Sequence, residues 1–269
     1  MITYRDLTTL EDFAGVVQLE RDIWGPAYDD VVPVPILAVS VHTGGILIGA
    51  FDEERMIGFV YSLPGIKDGK PTQWSHMAGV LPEYQSRGFG AQLKRLQRER
   101  ALAAGLDLVQ WTYDPLQAMN AHLNFAKLGV TAEEYAVNIY GVSASPLHGG
   151  NPTDRFVADW FVRDSRVAER LGGAVPLASV LTVEPAGRAQ RAGEWLAPAA
   201  VDLDLDEKRI SVEIPMGFTE MLSKAPDLAL EWRMATREIF TTYFGRGHHA
   251  VEFFLDRPAR KGAYLLVRN

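Results

Sequence analysis

Residues 78–91 read Ala-Gly-Val-Leu-Pro-Glu-Tyr-Gln-Ser-Arg-Gly-Phe-Gly-Ala and decide the fold. An apolar stretch ends at Val80, a short turn contains Pro82, and an amphipathic stretch follows two glycines. This order predicts a strand, a turn and a helix. Glycines at a helix start let an anion approach the free N–H groups closely, and the helix dipole adds to the attraction. We therefore expect a pyrophosphate site there, with Arg87 reaching the outer oxygens.

The glycine spacing separates this segment from two other nucleotide-binding patterns. A Rossmann fingerprint needs Gly-x-Gly-x-x-Gly and a P-loop needs Gly-Lys-Ser/Thr, and neither is present. The pattern Gln85-x-x-Gly88-x-Gly90 instead resembles the signature of the GNAT superfamily of acyl-CoA-dependent N-acyltransferases. The alternative is a glycine-rich helix start that binds no ligand.

Composition limits the class of protein. The chain has 269 residues, 47% of them hydrophobic, which is typical of one large or two smaller globular cores. A net charge of −7 argues against nucleic acid or an anionic membrane as the main partner. The absence of cysteine excludes disulfides and thiolate metal sites and fits a cytoplasmic protein. The first residues lack a signal-peptide pattern, and no apolar run reaches the roughly 18 residues of a membrane span.

The first half of the chain predicts an α/β (α+β) fold in the order strand, two helices, three strands, helix, strand, helix, strand. Over residues 1–142 this order resembles the GNAT core, which has a mixed central sheet with splayed strands. Thr8 and Glu11 predict a capping box for the first helix. The remaining expected elements are a helix at 36–43, strands at 45–52, 55–63, 72–80, 106–113 and 133–142, and helices at 88–104 and 115–128.

A composition change at residues 143–153 predicts a domain boundary. We expect a catalytic domain over 1–150 and a smaller C-terminal α/β subdomain over 151–269. The second part could close the acceptor pocket, mediate dimerisation or simply stabilise the first. Its expected elements are strands at 154–162, 177–183, 209–214, 250–255 and 263–267, and helices at 164–172, 217–224 and 227–243.

The GNAT resemblance implies a thioester bound between two splayed parallel strands. It implies pantetheine contacts from the backbone of Ala78 and Val80, and Gly79 is expected to mark the bulge that opens the gap. The acyl-CoA would be acetyl-CoA or succinyl-CoA, used as a co-substrate without a metal. The expected pyrophosphate cradle consists of Gln85, Ser86, Arg87, Gly88, Phe89, Gly90 and Ala91.

Acyl transfer requires a neutral amine, so a mild base is needed. His76 is the first candidate because it lies on the strand that leads into the glycine motif; the alternative is a half-buried histidine bonded to a carbonyl. Glu83 is a second candidate, although a carboxylate near the helix N-terminus is the simpler interpretation. Asp114 could accept a hydrogen bond from an ammonium or cap the following helix.

Many GNAT enzymes use a tyrosine to protonate the leaving thiolate, and Phe125 occupies the matching position here. Tyr113, Asn120 or water could serve instead. Asn120 and Phe125 are also expected to contact the CoA.

A closer resemblance covers Ser75-His76-Met77, Leu93-Lys94, Gln97 and Trp111-Thr112-Tyr113-Asp114-Pro115-Leu116. This set is similar to a GNAT subfamily with a C-terminal extension, some of whose members are linked with N-succinylamino acid racemases and N-acylate amino acids. This resemblance implies that the acceptor is the amino group of a small molecule, an amino acid. The carboxylate of an amino acid would suit Arg155, Arg163 or Arg166. A homodimer, an acyl-CoA sensor, and an acetyltransferase for a protein N-terminus or an amine drug remain open.

Overall fold

The computed structural model describes residues 1–26, 28, 30–141, 150–174 and 183–268. The chain contains both strands and helices and has a mixed α/β fold, as expected. The chain divides into two compact units. The first contains Met1–Trp111 and Phe161–Asp164, and the second contains Thr112–Trp160 and Ser165–Asn269. No helix among the described residues is long and apolar enough to cross a membrane.

The first unit is built on five strands in the order β1-β2-β3-β4-β5. Neighbouring strands are antiparallel except for β4 and β5, which are parallel. The elements are β1 (Ile2–Asp6), α1 (Leu10–Trp24), α2 (Val34–His42), β2 (Leu47–Asp52), β3 (Arg55–Lys67), β4 (Lys70–Val80), a 3₁₀ turn (Pro82–Tyr84), α3 (Phe89–Ala103) and β5 (Leu108–Tyr113).

The capping box of α1 lies one residue later than the sequence predicted. Thr9 is the N-cap, and its side chain accepts from the Asp12 N–H, while the Asp12 carboxylate accepts from the Thr9 N–H. Asp12 also accepts from Arg5 at 2.6 Å, and this guanidinium is the main reason that its pKa lies well below the usual range. The ion pair with β1 thus favours Asp12 over Glu11 as the capping carboxylate.

The β3–β4 ladder contains its bulge at His76 and not at Gly79. Tyr61 lies opposite Met77 and Ser62 lies opposite Ser75, so His76 is the extra residue. Gly79 has a different role, because a Cβ there would lie 2.8 Å from Ile23 of α1. Its lack of a side chain allows α1 to pack closely on β4.

The second unit contains seven strands in the order β7-β6-β11-β12-β10-β8-β9. The parallel pair is β10 with β8, and the other recorded pairs are antiparallel. The elements are α4 (Ala118–Ala121), a π-helical segment (His122–Leu128), β6 (Thr131–Ala136), β7 (Arg155–Phe161), α5 (Ser165–Leu171), β8 (Glu184–Ala192), β9 (Trp195–Val201), β10 (Arg209–Pro215), α6 (Phe218–Lys224), α7 (Pro226–Gly245), β11 (His248–Asp256) and β12 (Lys261–Arg268).

The expected boundary near residue 150 does not coincide with this division. β6 pairs with β7 on one side and with β11 on the other, so residues 112–160 pack with the C-terminal part of the chain. An aromatic cluster fills the core of this unit, in which Phe156 lies 4.7 Å from Phe240 and 5.2 Å from Tyr264 between ring centroids. The segment 112–160 therefore belongs to the second core.

Two other expectations differ from the structure. The helix expected from Pro115 begins at Ala118, because Asp114 first forms a turn in which its side chain accepts from the Leu116 N–H at 2.9 Å. The β8–β9 hairpin was not predicted. The expected strand at 177–183 falls almost entirely on residues 175–182, which lie outside the described part of the chain.

Candidate active site

The start of α3 forms an open row of amide donors. Gly88 is the N-cap in a left-handed conformation (φ 89°), which a side chain would strain, and Ser86 also has a positive φ of 61°. The first intrahelical bond runs from the Gln92 N–H to the Gly88 carbonyl. Within the described chain, none of the N–H groups of residues 86–91 donates to another protein group. These residues are accessible to solvent, so the row can bind an anion.

The edge of β4 beside this row also carries free backbone groups. The Leu81 N–H donates to the Ile57 carbonyl of β3. Backbone groups of successive strand residues point alternately to the two neighbouring strands, so those of Gly79 also point toward β3. Ala78 and Val80 therefore direct theirs away from β3. The Val80 carbonyl accepts from the Gln85 side chain at 3.0 Å. Within the described part of the chain, the Val80 N–H and both backbone groups of Ala78 have no such partner and remain for a ligand.

The parallel pairing of β4 with β5 is short. It consists of Gln73 opposite Val109 and Trp74 opposite Gln110, although β4 continues to Val80. Beyond Trp74 the two strands separate, which is the splay expected from the sequence. The free edge of β4 and the amide row thus lie along one side of an opening between two parallel strands.

His76 lies at the bulge on this free edge. Its side chain retains an exposed surface, and its ring contacts the buried Tyr61 edge-on with centroids 5.9 Å apart. Surrounding protein atoms displace water and lower the pKa of the imidazole below its usual value. His76 is therefore neutral at physiological pH and able to accept a proton.

Glu83 and Arg87 are both exposed on the turn before α3. Glu83 pairs with Arg55 at 2.8 Å; a hydrogen bond with its own backbone, and then this guanidinium, lower its pKa. A stable carboxylate of this kind is a poor proton acceptor. Arg87 lies over the rings of Tyr84 and Phe89, with its guanidinium carbon 5.4 Å from each centroid. This position leaves its charge next to the amide row.

Asp114 and Tyr113 were predicted to be catalytic, but both side chains form hydrogen bonds with other residues of the second unit. Arg233 donates to both Asp114 oxygens at 2.9 and 2.6 Å. The Tyr113 hydroxyl lies 3.2 Å from that of Tyr264, which donates to the Pro115 carbonyl, and burial raises the pKa of Tyr113 well above its usual value. This geometry gives Asp114 a structural role, in an ion pair and a turn and not as the expected helix cap, and it favours a packing role for Tyr113.

Asn120 and Phe125, the two remaining residues that were expected to contact CoA, differ in solvent exposure. Asn120 is exposed on α4. Phe125 is fully buried in the π-helical segment and packs edge-on against Tyr264 at 5.7 Å. Its ring is covered by protein, so the geometry gives no support for contact with pantetheine.

The three arginines considered for a substrate carboxylate have distinct environments. Arg163 forms an exposed ion pair with Asp107 at 2.6 Å. Arg166 donates to the Val251 carbonyl and lies 3.4 Å from Glu252. Arg155 is buried over the Tyr140 ring. Among the described residues, no group of His, Asp and Glu side chains is arranged to hold a metal ion.

Lys94 of α3 is a buried residue. Its side chain is 7% exposed, and its Nζ donates to Ser75 Oγ at 2.9 Å and Gln97 Oε1 at 3.1 Å. Gln97 in turn donates to Ser62 Oγ at 2.5 Å and to Ser75 Oγ at 2.9 Å. A polar cluster therefore lies on α3 beside the buried Leu93.

Glu20 of α1 is a second buried ionisable residue that the sequence did not reveal. Its Oε2 accepts from the Val32 N–H at 3.0 Å, whereas its Oε1 has no partner among the described residues. Burial raises the pKa of this carboxyl to about 7. Because the folded-state pKa exceeds the unfolded one, the stabilisation is complete below about pH 4.5 and is lost as pH rises through 7.

We expect Glu20→Gln to raise the free energy of unfolding at pH 8 by roughly 2 kcal/mol, because the variant has no charge to bury. The gain should disappear near pH 3.5, where Glu20 is protonated in both states. Thermal unfolding at the two pH values measures this difference. Glu11→Gln, an exposed change on the same helix, is the control; an equal gain in both variants would contradict the explanation.

Comparisons with known proteins give matches by structure only. No family model matches the sequence, and no curated protein matches it. The ribosomal-protein-S18-alanine N-acetyltransferase from Escherichia coli is 15% identical, with 61% of this chain and 96% of that chain covered and a TM-score of 0.48. A GNAT-family acetyltransferase from Streptococcus pneumoniae is 16% identical, with 59% and 98% covered and a TM-score of 0.49.

A third similar structure was determined in complex with coenzyme A. It is the PaiA N-acetyltransferase from Thermoplasma acidophilum, which is 15% identical, with 59% of this chain and 98% of that chain covered and a TM-score of 0.43. With such identities, and TM-scores below 0.5, the residues of this chain must themselves support any functional conclusion.

Proposed function

We propose that this protein is a GNAT-type N-acyltransferase that moves an acetyl or succinyl group from acyl-CoA to the amino group of a small molecule. The observation that carries the proposal is the row of free N–H groups at residues 86–91, which adjoins the free edge of β4 where β4 leaves β5. A pyrophosphate requires such a set of donors. The extended arm attached to it requires free strand-edge groups such as those of Ala78 and Val80.

The chain's own residues have separate tasks in this proposal. The amide row and Arg87 bind the phosphates, and Ala78 and Val80 orient the pantetheine arm. Bound acyl-CoA supplies an activated thioester. His76 accepts the proton that the attacking amine releases, and its lowered pKa keeps it in the accepting form at neutral pH. No covalent enzyme intermediate is required, since the amine attacks the thioester directly.

An amino acid is the proposed acceptor, supported by the resemblance of residues 75–77, 93–94, 97 and 111–116 to the amino-acid-acylating subfamily. The cytoplasmic location expected from composition stays a prediction, as does a homodimer. The direct test measures thiol release from acetyl-CoA and succinyl-CoA with a panel of L- and D-amino acids, simple amines and a peptide with a free N-terminus. Turnover with a free amino acid supports the proposal, whereas turnover with the peptide alone would contradict the acceptor class.

One observation favours an acyl-CoA-binding protein without catalysis as a second candidate. Phe125 supplies no hydroxyl, and the Tyr113 hydroxyl is held within a buried pair with Tyr264. The thiolate would then leave with help from water alone, and a thiol pKa near 8.5 makes this slow unless the site stabilises the charge. Tight CoA binding with no thiol release for any amine in the panel would favour this candidate.

A further inference from the structure

A glutamine of α3 bridges β3 and β4 beside the bulge at His76. The Nε2 of Gln97 donates to Ser62 Oγ at 2.5 Å and to Ser75 Oγ at 2.9 Å. Ser62 and Ser75 lie directly opposite each other and are the first pair on the hairpin side of the bulge. One amide group therefore joins the two strands at the residue pair next to His76.

Lys94 fixes the orientation of this amide group. Its Nζ donates to Gln97 Oε1 at 3.1 Å and to Ser75 Oγ at 2.9 Å. Because the lysine donates to the amide oxygen, the amide NH₂ is left facing the two serines. The side chains are at most 7% exposed, so little water competes for these hydrogen bonds. We call these four residues the polar cluster: Ser62, Ser75, Lys94 and Gln97.

The bulge decides which face of the sheet His76 occupies. Residues directly opposite each other share a face, and successive residues of a strand alternate between faces. Ser75 therefore lies with Ser62 on the face that α3 covers. Met77 lies with Tyr61 on the opposite face. His76 is the extra residue between them, and its ring contacts Tyr61 edge-on with centroids 5.9 Å apart. The bulge thus directs the imidazole away from α3.

A shift of the bulge by one residue toward the hairpin turn would reverse this direction. His76 would then pair with Ser62 and turn toward α3, and Ser75 would become the extra residue. The shift would move Ser75 Oγ away from Gln97 and Lys94, so the hydrogen bonds from both would be lost in a buried place. The polar cluster therefore favours the register in which His76 faces Tyr61.

We propose that the polar cluster positions His76 for proton transfer by fixing the register of β3 and β4 at the bulge. This inference rests on the proposed function, because it assigns positioning residues to the base of the same acyl transfer. Apolar side chains could fill the same space without burying polar groups, but they would not distinguish the two registers. The cluster acts only through His76 and needs no contact with a substrate.

Gln97→Met is the first test, because it keeps an unbranched side chain and removes both the donor and the acceptor of the amide. We expect kcat to fall by about 10-fold or more, since a displaced base transfers a proton poorly. KM for acyl-CoA and the Kd of free CoA should change less than about threefold. In a His76→Ala background the same substitution should lower kcat by less than about twofold, because the residue through which it acts is absent.

A spectroscopic measurement follows His76 itself. NMR cross-relaxation between the rings of His76 and Tyr61 should be strong in the wild type and weak in Gln97→Met, because the imidazole no longer stays beside Tyr61. Loss of the histidine signal in His76→Ala identifies it. Gln18→Met makes the same replacement at an exposed position of α1 and should leave kcat and the ring contact unchanged.

Ser75→Thr and Ser75→Val form a matched pair, because threonine and valine have nearly the same shape and only threonine keeps the hydroxyl. We expect Ser75→Val to lose kcat and the ring contact as Gln97→Met does. Ser75→Thr should retain both to a much greater extent. This pair decides the question if Gln97→Met does not fold.

Unchanged kcat and ring contact in both Gln97→Met and Ser75→Val would overturn the inference, as would equal losses in Ser75→Val and Ser75→Thr. A full effect of Gln97→Met in the His76→Ala background would also overturn it. The absence of turnover in the wild type would contradict the proposed function. The ring contact is measured without substrate and would still decide whether the polar cluster fixes the register.

Discussion

Replacing Gly90 by glutamate is expected to raise the Kd for CoA by about 100-fold or more. The new carboxylate would lie in the first turn of α3, where it competes for the free N–H groups and repels the phosphates. Loss of two charge-assisted hydrogen bonds is sufficient for an effect of this size. Titration calorimetry with CoA measures it directly.

The substitution should not impair folding. A Cβ at Gly90 would meet only Val80 Cγ2 at 3.9 Å, which is an ordinary contact, and Gly90 is not among the residues with positive φ. Glutamate also has a higher helix propensity than glycine and is favoured near a helix N-terminus. Gly90→Gln is the matched neutral control and should bind CoA far better than Gly90→Glu. Equal binding by the two variants would show that the phosphates lie elsewhere.

Replacing His76 by alanine is expected to lower kcat by about 100-fold at pH 8, with little change in KM for acyl-CoA. The imidazole acts on the acceptor amine and makes no contact required for CoA binding, so the loss falls on the chemical step. Steady-state kinetics with the acceptor identified from the amine panel provide the measurement. His42→Ala removes an exposed histidine at the end of α2 and should have no effect.

The pH dependence separates a base from a residue that only shapes the site. Because burial lowers the pKa of His76, the wild type should retain the imidazole's contribution down to a pH below 6.5. Below that pKa the imidazole is protonated, and the rates of wild type and variant should converge. A constant ratio of the two rates from pH 5.5 to 9 would assign His76 a structural role instead.

The glycine segment shows why part of the site could be predicted from sequence. The helix start at Gly88 and the strand before it could be predicted because their signals lie in neighbouring residues. These signals are a glycine that permits a positive φ, a proline in the turn and the amphipathic pattern that follows. Local conformational requirements therefore predicted the framework of the first unit.

Features that depend on distant residues were not visible in the same way. Lys94 is buried because Ser75 and Trp111, which are 19 and 17 positions away in the sequence, provide its partners. The β8–β9 hairpin is rich in alanine and arginine, and Val201 is the one β-branched residue in its two strands. The division at Trp111 follows from pairing of β6 with β11, a contact that no local pattern encodes.

Hydrogen exchange of the backbone amides, with and without acetyl-CoA, tests the central claim most directly. The account predicts that the ligand slows exchange at residues 86–91 and at Ala78 and Val80, because these N–H groups become hydrogen-bonded. The turn between β8 and β9 should exchange equally fast in both states. Unchanged exchange at residues 86–91 in the presence of saturating acetyl-CoA would contradict the assignment of this segment as the acyl-CoA site.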